Sequence, residues 1–193
     1  MNTMILKIVP GGAFVENTYI LQSKDSKELI LIDPGSQTLE IEESLSELSF
    51  NSIHIWNTHG HLDHAYGVDY FMKKYKADFN IHMKEVPILQ AMTTAASRFG
   101  IPEFSDAVIP EIDNFIEEEK QYEVAGLNFK TLLVPGHSPG SICFHFTKEL
   151  NPEEGLDKDL MICGDTVFAG SVGRVDLTGG TNMEELLGNI AEK

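Results

Sequence analysis

Thr58-His59-Gly60-His61-Leu62-Asp63-His64 places three imidazoles and a carboxylate within seven residues. Imidazole nitrogen and carboxylate oxygen are the ligands that zinc and its neighbours among the transition metals prefer. The stretch before it, Ile53-His54-Ile55-Trp56-Asn57, reads as a short strand. After it, Ala65, Val68, Phe71, Met72 and Tyr75 recur at helical spacing, which predicts a helix over 65–76. The cluster therefore sits at a strand-to-helix turn, where a rigid scaffold presents side chains to solvent. In extended chain His59 and His61 point to the same side and can grip one metal as a pair. Asp63 and His64 lie one turn further on, offset toward a second metal nearby.

Working outward, two later stretches add to the set. Pro135-Gly136-His137-Ser138-Pro139-Gly140 carries a histidine in a Pro/Gly-rich turn after the apolar strand Phe129-Lys130-Thr131-Leu132-Leu133-Val134. Leu160-Met161-Ile162-Cys163-Gly164-Asp165 ends another apolar strand on an acid. A histidine in a turn is usually polar surface, and an Asp at a strand end is usually a cap. Joined to the first cluster, they make three histidines and an acid, each at the exit of a strand.

These motifs together resemble the metallo-β-lactamase fold superfamily, and Ile32-Asp33-Pro34-Gly35 is similar to that family's early strand-end turn. Within it, the chain looks most like the small single-domain glyoxalase II-like members, the relatives of hydroxyacylglutathione hydrolase. The segment Ser171-Val172-Gly173-Arg174-Val175-Asp176-Leu177, followed by Gly179-Gly180, carries that finer likeness. The resemblance runs from about residue 5 to the chain end. It implies a four-layer αββα sandwich. It also implies that His59, His61 and His137 hold a first metal, that Asp63 and His64 hold a second, and that Asp165 bridges the two. Asp63 is also the candidate catalytic residue. Two zinc ions are the expected cofactors, with iron or manganese as alternatives. The family carries a further histidine near its C-terminus, whereas no histidine follows His145 here. The chain stops inside an amphipathic stripe of Met183, Leu186, Leu187 and Ile190. The expectation drawn from this is a truncated C-terminus and an incomplete second metal site.

Composition narrows the function further. A chain of 193 residues, 42% hydrophobic, is expected to form one globular domain spanning 1–193. The net charge of −16 repels phosphate backbones, which argues against a nucleic-acid partner. Lys73, Lys74 and Lys76 read as a solvated helix end, not as a basic patch. No signal peptide or membrane-length apolar run is evident, so a cytoplasmic protein without a membrane partner is expected. Cys143 and Cys163 fit buried thiols of a reducing compartment.

Strands are expected at 4–9, 17–22, 29–33, 53–58, 79–82, 121–125, 128–134, 141–147 and 160–164. Helices are expected at 38–49, 65–76, 85–98 and 182–193. Ser23-Lys24-Asp25-Ser26-Lys27 between apolar strands signals a hairpin. Periodicity alone gives a mixed α/β domain. His54, His82 and His145 read as structural. Met92, Phe99 and Phe104 are expected in the core, and Arg174 and Asp176 are placed to pair with each other.

The chemistry follows from the metals. A bound metal lowers the pKa of its water from ~15.7 to about 7, which makes hydroxide at neutral pH. The same ion stabilises the oxyanion of a tetrahedral intermediate. No Gly-x-Ser-x-Gly elbow is present, and Ser138 has no free base beside it. The expected protein is a metal-dependent hydrolase that uses metal-bound hydroxide on a small-molecule thioester such as an acylglutathione. Competing readings are a lactonase or β-lactamase of the same fold, a mono-iron persulfide dioxygenase, and a non-catalytic metal-binding domain. Asp165 stands where several true β-lactamases carry a metal-binding cysteine, which disfavours that choice.

Overall fold

The structure is a computed structural model that describes residues 4–36 and 38–193. Strand β1 (Ile5–Gly11) pairs antiparallel with β2 (Glu16–Gln22), and β2 turns at Ser23–Lys27 into antiparallel β3 (Glu28–Ile32). After helix α1 (Thr38–Ser46) the pairing changes from antiparallel to parallel. Strands β4 (Ser52–Trp56), β5 (Asp78–His82) and β6 (Asn114–Ile116) each join parallel to the one before. A parallel neighbour needs a crossover segment, and helices supply it. Between β4 and β5 run α2 (Leu62–Ala65) and α3 (Val68–Tyr75), and between β5 and β6 run α4 (Val86–Gln90) and α5 (Met92–Phe99). The second sheet is antiparallel throughout, in the order β10-β9-β8-β7: β7 (Gln121–Val124), β8 (Leu127–Leu133), β9 (Ile142–Phe146) and β10 (Leu160–Ile162). A short hairpin, β11 (Val167–Phe168) and β12 (Ser171–Val172), and helix α6 (Met183–Ala191) complete the chain.

Alternation along the strands builds two separate cores. In β3, Leu29 and Leu31 face α1–α5, while Ile30 and Ile32 face the second sheet. In β4, Ile53 and Ile55 face the helices and Trp56 faces the other way. Trp56 meets Phe129 and Phe144 of the second sheet edge-on, at 5.1 and 6.1 Å between ring centres. On the far side, α6 buries Leu186 against the Pro135–Gly136 turn that follows β8. The layers are α, β, β, α, as the resemblance implied. Among the described residues no helix is long and apolar enough to cross a membrane.

Several elements depart from the sequence expectation for local reasons. The helix expected over 65–76 is two helices, broken at Gly67, whose N–H donates to Pro34 O at 2.9 Å. A Cβ there would lie 2.6 Å from Gly35 O, so only glycine lets the two loops touch. The helix expected over 85–98 is α4 and α5, meeting at Ala91. Helix α1 stops at Ser46, and β10 stops at Ile162, which leaves Cys163 just past the strand. Strand β6 and the β11/β12 hairpin had no apolar alternation to announce them. Cys143 and Cys163 are both free thiols. Of the three apolar residues assigned to the core, Met92 and Phe104 are buried and Phe99 is exposed.

Candidate metal centre

The C-terminal ends of β3 and β4, the turns after β8 and β10, and the start of α2 all open on one side of the sandwich. They carry Asp33, the 58–64 stretch, His137 and Asp165 to a common point. His61 Nδ1 lies 2.8 Å from His137 Nε2, and His137 Nε2 lies 3.2 Å from His59 Nε2. His64 Nε2 lies 3.2 Å from Asp165 Oδ1 and 3.9 Å from Asp63 Oδ2. His137 Nε2 is 3.6 Å from Asp165 Oδ2. All six residues expected at the site are thus brought together, although His137 and Asp165 lie far from the 58–64 stretch in sequence.

The hydrogen bonds behind the cluster fix which nitrogens carry protons. A carbonyl can only accept, so His137 Nδ1–H donates to Arg174 O at 2.8 Å and His61 Nε2–H donates to Thr178 O at 3.0 Å. The Thr58 hydroxyl donates to Asp33 Oδ2 at 2.6 Å and so accepts from His59 Nδ1–H at 3.0 Å. His64 Nδ1–H donates to the same Asp33 oxygen at 3.0 Å. His59, His61 and His137 therefore each point a lone pair inward. His59 Nε2, His61 Nδ1 and His137 Nε2 face one another, and buried His64 Nε2 faces two carboxylates without an aligned hydrogen bond. The lone pairs of His59, His61 and His137 converge with no donor among the three, and a cation resolves that conflict. The donor set, nitrogen with carboxylate oxygen and a supporting layer of carbonyls, fits a transition-metal ion.

The titration behaviour points the same way. Burial holds His59 well below the ordinary histidine range, and repulsion from His64, His61 and His137 adds to it. Burial also pulls His61 down to about 4, helped by His137. His137 is lowered by burial against the pull of Asp165. These three are held neutral, the state in which imidazole ligates. At His64 burial again opposes charge, but Asp33, Asp63 and Asp165 outweigh it and raise the group well above its usual value. Burial would raise Asp165, yet its contact with His64 and the other imidazoles lowers it.

Three supporting residues had been assigned no role at the site from the sequence. Asp33 is fully buried, with φ +51°, and accepts from Thr58 N at 2.7 Å as well as from Thr58 Oγ1 and His64. Its distance to His59 and His64 would permit a ligand role. Both of its oxygens are already engaged by donors, so it positions the ligands instead. Asn57 donates from Nδ2 to the carbonyls of His64 and His59, at 2.9 and 3.4 Å, and ties the turn together. Glu85 is completely buried and accepts from Gly60 N at 2.8 Å and Gly140 N at 2.6 Å, so it joins the two histidine loops. Asp33 lay in plain view within Ile32-Asp33-Pro34-Gly35. Glu85 gave no signal, because one glutamate on a helix start looks like surface.

Asp165 rides on a short turn, Gly164–Thr166, where Gly164 has φ +48°. A Cβ on Gly164 would lie 2.2 Å from Thr58 Oγ1, so the two loops close only over glycine. Asp63, in the first turn of α2, and Asp165 keep side-chain exposures of 22% and 24%, and they face a groove that His61 and His64 also line. That groove, of about 920 Å³, runs from the cluster past Met92, Phe99 and Phe168. It falls in the size range of small-molecule sites. The expected pair of Arg174 and Asp176 forms at its mouth, with two hydrogen bonds of 2.7 and 2.8 Å.

Comparison with known proteins places this geometry among relatives. The family profile described as the metallo-beta-lactamase superfamily matches residues 11–192. The chain is 31% identical over 185 residues to the probable metallo-hydrolase YqgX of Bacillus subtilis, covering 96% of this chain and 81% of that one. It is 30% identical over 193 residues to the hydroxyacylglutathione hydrolase GloC of Haemophilus influenzae, covering 98% and 84%. Among solved structures, that of the BLEG-1 B3 metallo-beta-lactamase superposes with a TM-score of 0.82 at 29% identity, covering 98% of this chain and 85% of that one.

Proposed function

This chain belongs to the metallo-β-lactamase superfamily, whose members include metallo-hydrolases, and on that premise we propose that it hydrolyses thioesters, with acylglutathiones as the substrate class. The observation that carries the hydrolase reading is the inward set of unprotonated nitrogens beside two carboxylates, opening on a groove. The likeness to GloC across 98% of the chain supports the thioester. His59, His61 and His137 would hold one zinc ion, and Asp63 and His64 would hold a second, with Asp165 shared between them. Such ions supply Lewis acidity, which makes water acidic and polarises a carbonyl.

The chain's own residues do the rest. The Arg174 and Thr178 carbonyls and the Thr58 hydroxyl fix the tautomers of His137, His61 and His59, so the nitrogen lone pairs stay aimed inward. Asp33 fixes His64 and Thr58 together, and Glu85 holds the two histidine loops at a set separation. Asp63, partly exposed on the groove, takes the proton released as water adds to the thioester carbonyl. When the carbon–sulfur bond breaks, that proton passes to the leaving thiolate. The groove holds the acyl chain and the thiol while this happens.

The test is S-lactoylglutathione hydrolysis by purified protein, with elemental analysis of the same sample. Turnover that tracks zinc content supports the reading. Full metal loading without cleavage of any acylglutathione would overturn the substrate assignment. A protein that retains no metal would overturn the hydrolase reading as well.

A further inference from the structure

The chain has twelve lysines and only two arginines, Arg98 and Arg174. Both arginines line the groove beside the histidine cluster, and no lysine does. In a chain of net charge −16 this is a selective placement of cations. Arg174 is spent on Asp176, through its Nε and one terminal nitrogen. Arg98, on the last turn of α5, is exposed and makes no hydrogen bond, ion pair or ring contact among the described residues. Of the acids along the groove, Asp63 and Asp165 belong to the histidine cluster, Asp176 is neutralised by Arg174, and Glu16 is buried. A guanidinium in this position is a ready bidentate partner for a carboxylate from outside.

The groove that Arg98 lines has an exposed apolar wall. Phe14, Val15, Phe99, Met161 and Phe168 all line the groove and all are exposed. Exposed apolar residues gathered on one concave surface mark a binding site more often than chance surface. Phe14 and Phe99 meet edge-on at 5.4 Å, which joins the β1/β2 turn to α5. Val15 is 70% exposed and held at φ +55°. A β-branched residue in the left-handed region is a true backbone outlier, and such outliers gather at functional sites. Here the outlier presents a valine to open groove where a glycine would sit without strain.

We propose that the groove binds an amphipathic carboxylate: an apolar chain lies on the Phe14–Phe99 wall, and its carboxylate pairs with Arg98. This rests on the thioesterase reading for the reaction and names the substrate feature that sets specificity within it. The binding claim stands apart from the chemistry, so the two can be tested separately.

Binding is read with 11-(dansylamino)undecanoic acid and its methyl ester, by fluorescence titration of the metal-loaded protein. The free acid should bind about tenfold more tightly than the ester, the scale of one charge-assisted pair. In Arg98→Ala the difference should fall to near one, and in Arg98→Glu it should reverse. Arg98→Lys should retain part of it, and Lys84→Ala, outside the groove, should retain all of it. Hydrolysis is read with suberoyl and methylsuberoyl thioesters of N-acetylcysteamine, then with octanoyl thioesters of glutathione and of N-acetylcysteamine. Arg98-dependent preference in the first pair places the carboxylate on the acyl part, and in the second pair alone it places it on the thiol part. The first outcome supports the proposal, and the second alone overturns the apolar-chain assignment. Probe binding that depends on Arg98, without thioester cleavage, supports the proposal and removes the thioesterase reading. Thioester cleavage with no Arg98 dependence in any pair, or equal binding of acid and ester, overturns the proposal and leaves the thioesterase reading standing.

Discussion

Glu85 shows how much of this site depends on a residue far from the chemistry. Its carboxylate is buried, and burial raises its pKa against hydrogen bonds from Gly60, Ser138 and Gly140. Removing it leaves two buried backbone N–H groups without acceptors, at about 1–3 kcal/mol each. Glu85→Ala should therefore lower unfolding free energy by about 2–5 kcal/mol. It should also weaken zinc binding ~10–100-fold, the usual cost of disturbing the support of a ligand. Urea denaturation and competition with a zinc chelator measure the two effects. Unchanged metal affinity would mean that the loops hold their separation without Glu85. Asp165 gives a contrasting prediction. It contacts both His64 and His137, so Asp165→Ala should lower metal stoichiometry while leaving the three-histidine set able to bind one ion. Full stoichiometry in that variant, measured by elemental analysis, would remove the shared-ligand role.

At the scale of elements, the β4/β5 ladder and the inter-sheet core make separable predictions. His54 stands opposite Asp78 in register, with its Nδ1 at 2.6 Å from Oδ1. The Asp78 hydrogen bond raises His54 against the effect of burial. Burial would raise Asp78, but His54 and Asn80 lower it. A raised histidine contributes stability fully below its unfolded value of about 6.5, and that contribution is lost as pH rises through the higher folded value. Asp78, being lowered, stays charged through this window and gives up its share only as pH falls through its folded value, below ~3.9. Wild type should thus exceed His54→Gln by about 0.5–1 kcal/mol near pH 5.5, a figure discounted for partial exposure, and by almost nothing at about pH 9. Urea titrations across that range test it, and a pH-independent gap would mean the pair is never charged. Within the core, Phe129 touches Trp56, Tyr122, Phe144 and Phe146 with ring centres 5.0–5.8 Å from its own. Phe129→Ala should cost about 3–5 kcal/mol by cavity formation. Phe115→Ala, on the exposed side of edge strand β6, should stay within ~0.5 kcal/mol. Equal losses at the two positions would contradict the two-core description.

For the whole molecule, the metal proposal carries a stability consequence. The site draws ligands from three separate stretches, residues 58–64 after β4 and the turns after β8 and β10, so an ion there cross-links both sheets. An ion bound at a thousand times its dissociation constant stabilises by about 4 kcal/mol. Chelation should then lower the melting temperature by ~8–16 °C for a chain of this size. Readdition of zinc should restore it, and calcium, which favours oxygen ligands, should not. A melting temperature indifferent to chelator would speak against a folded-state metal. The net charge of −16 adds a general attraction for cations that salt should weaken.

What the sequence by itself determined is what local chemistry encodes. The 58–64 stretch, the Pro135–Gly140 turn and Asp165 were legible because imidazoles and carboxylates stand at the exits of apolar strands, and nine of the strands were legible as apolar runs between turn signals. The likeness to a family supplied the layers, which periodicity cannot. Tertiary structure alone decided the remainder. It decided that Glu85 is interior, since a glutamate is buried only when two loops bring N–H groups to it. It broke two helices, one at Gly67, where the Pro34–Gly35 backbone crowds the chain, and one at Ala91. It turned Phe99 out of the core and set it beside Arg98 on the groove. Hydrogen-bond partners, exposure and lone-pair direction depend on residues distant in sequence, and only the folded chain brings those residues into contact.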